Sequence, residues 1–350
     1  MLLEEMQGSG KKLPVPTDLV REAAGRKSPH ATKKRGHPKR CFLGLCRLAW
    51  RMPIQPHPNL PGSLYKYASP DAALAILQNG TLQFGRPSTF DDEFDMRLNL
   101  AMNIDEETVI VGALDQIWES AYGPVPIPAG NKFGRALLAL RFLFPHPPER
   151  AEFDAFMRPQ LADRVRQWNA DLKRFCDLIA GVCSNHKVLC LSASATIAPM
   201  WGLYAGNHEG AVLQYAPTSD DSFFLLARPV AYVAEVPVLF DNEGFIDWLS
   251  GRRALDEEES LHDLFVYTKT QAWAAQEEWR IVAGDGWQPD AAREFVPFAA
   301  ADLHSVIFGS RAKNELRNAI TALVGERYPA CSLRQLIRSE VNLNYEVVDL

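Results

Sequence analysis

Much that would place this chain quickly is missing from it. No stretch approaches the run of about 18 apolar residues that a membrane-spanning helix needs. The segment "CFLGLCRLAW" (41–50) is apolar and follows basic residues, but it lies far from the start and precedes no small-residue cleavage motif, so it does not read as a signal peptide. There is no glycine-rich phosphate loop: "GNHEG" and "GDGW" lack the spacing of a P-loop or a Rossmann turn. No internal repeat is visible. Cysteine is sparse, with six residues in 350. Cys176, Cys183 and Cys190 recur every seven residues in apolar surroundings, whereas zinc thiols pair across about two to four residues. Buried free thiols are the expectation, with no metal and a reducing cytoplasm.

Positive charge is also missing where a nucleic-acid grip would need it. The chain carries net charge −6. Residues 1–57 hold 12 Lys/Arg against 4 Asp/Glu, so the remainder carries −14. An acidic body does not neutralise phosphates, so nucleic acid is not an expected partner for it. The segment 1–57, with "GRKSPHATKKRGHPKR", keeps neither a helical nor a strand period and reads as a disordered basic arm.

What is present begins near Leu60. "SLYKYA" reads as a strand, and Ser69-Pro70-Asp71 supplies an N-cap and a proline at the first helical position. "DAALAILQ" is then a helix ended by Gly80 in the left-handed conformation, and "TLQFG" is a second strand. Helices are expected at 105–120, 132–144 and 149–180, the last kinked or split at Pro159. After Gly181 strands dominate: "KVLCLSAS", "GAVLQYA", "FLLARPVAYV", "EWRIVAG", "LHSVIFG", "CSLRQLIRS" and "YEVVDL", with one amphipathic helix in "RAKNELRNAITALVGERY". The order predicts an α+β domain over 58–350, with a mixed or antiparallel sheet and a helical insert at about 100–180.

Three polar-aromatic stretches can carry chemistry. In the first, Tyr65 and Tyr67 share one strand face and Lys66 points away; a half-buried edge strand with a snorkelling lysine would look the same. The acids of "FDDEFD" (90–95) then cap their turn or pair with arginines, because the glycine and alternation of a calcium loop are absent. The second holds Ser192, Ser194, Trp201, Tyr204 and His208. Trp201, Tyr204 and His208 fall at i, i+3 and i+7, one helix face, which suits either a core stripe or a wall for a flat ring. The third is "KTQAWAAQEEWRIV" (269–282). Glu278 and Arg280 project to one side of a strand, either as exposed charge balance or as a held catalytic carboxylate.

At these residues the chain resembles the bacterial DUF2971 proteins, a family of unknown function. The resemblance rests on Leu64-Tyr65-Lys66-Tyr67; on Phe84, Pro87 and Phe90–Asp95; on Cys190-Leu191-Ser192, Met200-Trp201, Tyr204-Ala205, His208 and Gly210; and on Lys269, Trp273, Glu278, Trp279, Arg280 and Ile281. It spans roughly 64–310. Three positions depart from the family pattern: Asp91 replaces Asn, Gly202-Leu203 replaces Ser-His, and Gln276 replaces the first Glu of an E-x-E pair. The arrangement is also similar in outline to ADP-ribosyltransferase-like folds, which implies NAD as substrate, in a toxin or phage-defence setting. On that likeness Glu278 and Lys66 are the catalytic candidates. Tyr65, Tyr67, Ser192, Trp201, Tyr204, His208 and Arg280 are the candidate binding set. Cleaving the nicotinamide–ribose bond passes through an oxocarbenium-like state, which a carboxylate would stabilise. Two other functions fit the same residues: a non-catalytic nucleotide- or protein-binding module, and a metal-dependent nuclease using Asp91, Asp92, Asp95 and Glu278. The enzymatic reading requires Glu278 to face inward, in the same cleft as Lys66.

Overall fold

The computed structural model describes residues 55–143, 146–253 and 258–350. The expected basic arm at 1–57 therefore lies outside the described residues except for its last three. The described chain is α+β, as the order of elements predicts. Its strands are β1 (Leu64–Ala68), β2 (Thr81–Gly85), β3 (Ala101–Asn103), β4 (Val188–Ser192), β5 (Ala211–Tyr215), β6 (Arg228–Pro229), β7 (Ala231–Val233), β8 (Val238–Asp241), β9 (Thr268–Thr270), β10 (Glu278–Val282), β11 (Arg293–Pro297), β12 (Leu303–Phe308), β13 (Ser332–Arg338) and β14 (Tyr345–Asp349). The helices are α1 (Pro70–Asn79), α2 (Glu106–Tyr122), α3 (Lys132–Leu143), α4 (Arg150–Cys183), α5 (Ala198–Leu203), α6 (Asn242–Leu249), α7 (Glu258–Val266) and α8 (Asn314–Arg327). None of the described helices is long and apolar enough to cross a membrane.

Local chemistry sets the first unit. Ser69 accepts from the Ala72 amide to cap α1, Pro70 opens the helix, and Gly80 at φ 62° closes it, the conformation glycine adopts without a Cβ penalty. Asp105 and Asp241 cap α2 and α6 in the same way. Of the two outcomes expected at Pro159, splitting does not occur, because helix α4 continues through it. One expectation needs correction. "FLLARPVAYV" is not one strand: Phe223–Leu226 is a 3₁₀ turn, followed by the short β6 and β7.

The main sheet has ten strands, ordered β11-β2-β4-β1-β5-β12-β13-β14, with β10 on β4 and β6 on β10. All its pairings are antiparallel except β12 with β13. The decisive detail is at β4. Strand β10 covers one edge throughout, from Glu278↔Ser192 to Val282↔Val188. The opposite edge is shared: Gly85 of β2 meets Val188, and Tyr65 of β1 meets Ser192. A strand has only two edges, so β1 and β2 lie along the same one and peel away from it. The sheet forks there into a β2–β11 wing and a wing from β1 to β14.

The helical insert at about 100–180 does not close on its own. Its core joins Ile110, Leu114 and Ile117 of α2 and Leu161, Val165 and Trp168 of α4 to Phe240, Phe245 and Leu249 from later in the chain. The parallel pair β3–β8 makes the same connection. Sequence period locates these helices but says nothing of the distant segment that completes their core.

Candidate functional site

The fork in the sheet is a cleft of about 250 Å³. Its walls are Tyr65, Lys66 and Tyr67 of β1, Gln83 and Gly85 of β2, and Val188, Cys190 and Leu191 of β4. Phe90, Asp91 and Asp95 of the acidic turn, Met200 of α5 and Tyr204 just after it, and Lys269, Gln276 and Glu278 also line it. Three distant parts of the chain thus converge on one concavity.

Lys66 occupies the fork. Along an antiparallel edge, alternate residues turn their backbone groups toward the same neighbour. Val188 and Ser192 face β2 and β1, and Cys190 between them has parity with both but a strand partner in neither. Lys66 Nζ supplies the missing donor, 3.0 Å from the Cys190 carbonyl oxygen. Burial pulls the Lys66 ammonium below its usual range, and the nearby Glu278 carboxylate restores part of the loss. Burial also pushes the Cys190 thiol far up, so Cys190 is no thiolate nucleophile.

Behind this edge lies a buried ion cluster. Glu278 Oε1 accepts from Arg280 Nε at 2.6 Å and Oε2 from Lys269 Nζ at 2.9 Å. Asp95 Oδ2 accepts from Arg280 Nη2 at 2.6 Å and lies 3.4 Å from Lys269 Nζ. Arg280 also donates to the Val266 carbonyl, and Lys269 to Gln276 Oε1. Burial alone would raise the Glu278 carboxyl, but Arg280 and Lys269 reverse this and hold it at about 2. Burial alone would lower the Lys269 ammonium, yet Glu278 and Asp95 carry it above its ordinary value. Asp95 is raised, burial outweighing Arg280, and its Oδ1 is buried without a hydrogen-bond partner. Two basic side chains meet two acidic ones here, and Lys66 in the fork pairs with neither acid.

The turn before β10 aims the cluster. Glu277 sits at φ 46°, a left-handed turn uncommon for a residue with a side chain. Gln276 and Glu278, on either side of it, both reach Lys269 Nζ. Gln276 Nε2 also donates to the Tyr204 hydroxyl at 3.2 Å, and burial together with Asp91 pushes that phenol up to about 12. The acids of 90–95 divide their work: Asp92 accepts from the Phe94 amide, capping its own turn, while Asp95 reaches Arg280.

No family model, no curated protein and no solved structure matches this chain.

Of the residues singled out in the sequence, the cleft brings together Tyr65, Lys66, Tyr67, Tyr204 and Glu278. The rest of the expected binding set stands elsewhere, and four roles need correction. Ser192 is fully buried and its hydroxyl already donates to the Gln276 carbonyl, so it holds the β10 turn rather than a ligand. Trp201 is also fully buried, donates to the Ala195 carbonyl and meets Tyr67 edge-on. It backs the tyrosine and is not a stacking wall. Helix α5 ends at Leu203, so Trp201, Tyr204 and His208 do not form one helix face. Asn207 and His208 take left-handed turns instead, which fold the His208 ring back parallel to Trp201 at 6.0 Å. Arg280 is fully buried and positions Glu278 from behind. The Tyr67 hydroxyl donates to the Ser194 carbonyl and accepts from the Ile197 amide, so only its ring serves the cleft. Sequence reasoning left Lys269, Gln276 and Cys190 out of the site and gave Asp95 a place only in the nuclease alternative. Lys269 shares a motif with Glu278, and the acidic turn offered pairing with an arginine. Nothing local in the sequence pointed to the Cys190 carbonyl.

Proposed function

We propose that this cleft binds NAD and breaks its nicotinamide–ribose bond, making the chain an ADP-ribosyltransferase-like or NAD-glycohydrolase-like enzyme of the DUF2971 type. The observation that carries the reading is the Glu278 carboxylate, kept ionised at the wall of an aromatic-lined cleft that also holds Lys66. Loss of nicotinamide leaves positive charge on the ribose. A carboxylate fixed in a site of low dielectric favours that charge without reorganising, which is where such groups contribute most. In this reading Tyr65, Phe90 and Tyr204 border the pyridine ring, Lys66 meets the pyrophosphate, and the unpartnered Asp95 Oδ1 accepts from a ribose hydroxyl. Lys66 is the one cation of the site with no carboxylate bound to it among the described residues, which suits an anionic guest. The enclosed volume takes the nicotinamide riboside end, and the adenylate half extends beyond it.

A binding module without turnover is the second reading. It is favoured by the engagement of both Glu278 oxygens and by Gln276, where a second carboxylate would stand. A metal-dependent nuclease has less support, because Arg280 and Lys269 already neutralise Asp95 and Glu278. One experiment separates these. The full chain is incubated with NAD, and nicotinamide release and melting temperature are both followed. Release that falls at least about 100-fold in Glu278→Gln, with folding intact by circular dichroism, supports the enzyme; a carboxylate of this kind contributes a few kcal/mol to the barrier. A melting shift with NAD and no release supports the module. Neither shift nor release, with Tyr204→Phe unchanged in both, removes NAD from consideration.

A further inference from the structure

At the turn that leads into β4, three metal-ligating side chains meet. Cys183 is the last residue of α4, His186 lies in the turn that leads to β4, and His262 lies on α7. One ligand atom from each falls within 4.8 Å of the other two. Cys183 and His186 are buried, with two residues between them in a C-x-x-H turn. His186 Nε2 and His262 Nε2 face each other at 3.0 Å. Two imidazole nitrogens on one tetrahedral zinc stand about 3.3 Å apart, given zinc–nitrogen bonds of about 2.0–2.1 Å, so little movement is needed.

The outward nitrogens decide between a metal and a simple hydrogen bond. His186 Nδ1 points toward Asp285 Oδ1 at 3.7 Å and His262 Nδ1 toward Asp263 Oδ1 at 3.5 Å. His186 Nδ1 is otherwise buried without a hydrogen-bond partner. If the two rings shared a proton between their Nε2 atoms, the neutral donor ring would have a bare Nδ1 lone pair facing a carboxylate. A cation between the Nε2 atoms removes the conflict. Both rings then carry their proton on Nδ1, directed at a carboxylate, which is how ligating histidines are ordinarily oriented.

We propose that Cys183, His186 and His262 bind one divalent cation of the zinc class, with water in the fourth position. The mixed thiolate and imidazole donor set suits zinc rather than magnesium or calcium, which take oxygen ligands. Binding displaces the thiol proton and ties the C-terminal end of α4 to α7 and to the start of β4. The site is independent of the NAD reading, since it shares no residue with the cleft.

The test uses the full chain, stripped with a chelator and dialysed against Zn²⁺ or Co²⁺, with bound metal measured by elemental analysis. About one equivalent is expected per chain. The Co²⁺ form should show a thiolate-to-cobalt charge-transfer band. Cys183→Ser should lose the band and the metal. His262→Gln should lose the metal with unchanged circular dichroism, because that side chain is 41% exposed. Cys176→Ser, a buried thiol of the same helix, should keep both. Absence of bound metal in the unsubstituted chain overturns the proposal. So does metal that persists undiminished in both Cys183→Ser and His262→Gln.

Discussion

The helical insert and the forked sheet solve burial in opposite ways. The insert core is hydrocarbon and aromatic: Trp168 lies 4.9 Å from Trp248, and Phe245 stacks on Trp248 with ring planes 5° apart. The sheet beside the cleft buries Asp95, Lys269, Glu278 and Arg280, every side chain less than a tenth exposed. Apolar burial stabilises by about 25 cal/mol per Å² at any pH. Removing charges from water costs several kcal/mol per ion, recovered only when each finds a partner. The first region makes the fold secure, whereas the second is held by mutual dependence and contributes little beyond what hydrocarbon would. A charged cluster kept under those terms is what a site retains for chemistry or recognition.

The sharpest way to break the contrast is to remove one member of the cluster. Arg280→Met leaves Asp95 and Glu278 short of a partner and should cost about 3–5 kcal/mol in urea unfolding. Adding Asp95→Asn and Glu278→Gln should recover part of that loss, since neutral partners need no counter-charge. If Arg280→Met costs under about 1 kcal/mol, the cluster is no more interdependent than surface pairs are.

Acid should separate the two regions next. Glu278 is held at about 2 against an ordinary 4.5. A depressed carboxyl contributes stability that is complete above the ordinary value and disappears as pH falls through the folded one. The loss between pH 4.5 and about 2 amounts to roughly 3 kcal/mol. Asp95, raised by burial, binds its proton earlier in the folded state and offsets part of this. Ile117→Ala in the insert should cost about 2–5 kcal/mol by the same amount at neutral and acid pH. Glu278→Gln should flatten the acid limb. Unfolding midpoints across that range check both, and equal pH slopes in the two variants would contradict the comparison.

The smallest expected effect on stability comes from Lys66→Met. It strips a donor from the Cys190 carbonyl, a cost of about 1–3 kcal/mol. If the cleft takes NAD as proposed, it should also weaken that binding roughly 10- to 100-fold, the worth of a charge-assisted contact. Calorimetry on a folded variant with unaltered affinity would remove Lys66 from the site.

The sequence makes the elements legible where chemistry is local. Ser69, Pro70 and Gly80 mark both ends of α1 because caps act over a few residues. The alternation in β10 puts Glu278 and Arg280 on one side, as they are found. Period carries no information about partners, however. The joining of Trp168 to Phe240 and Phe245, and the forking of β1 and β2 along one edge of β4, depend on pairings across more than 70 residues. For the same reason the i, i+3, i+7 spacing of Trp201, Tyr204 and His208 suits a ligand wall and a core stripe alike, and Trp201 in fact supports a tyrosine. Arg280 was expected to balance Glu278 on an exposed face or to hold it in place. Its burial was set by Asp95, contributed from 185 positions away.

The tether between Lys66 and the Cys190 carbonyl has a consequence for which guests are admitted. An incoming molecule that draws the ammonium away takes from the Cys190 carbonyl the donor it has in Lys66. A guest whose leading end carries its own N–H, such as a carboxamide, can take that acceptor over and release the ammonium to an anionic group further back. A guest offering acceptors alone must leave the carbonyl bare. On the proposed binding reading, the cleft would therefore favour small molecules with a donor at the leading end and an anion behind.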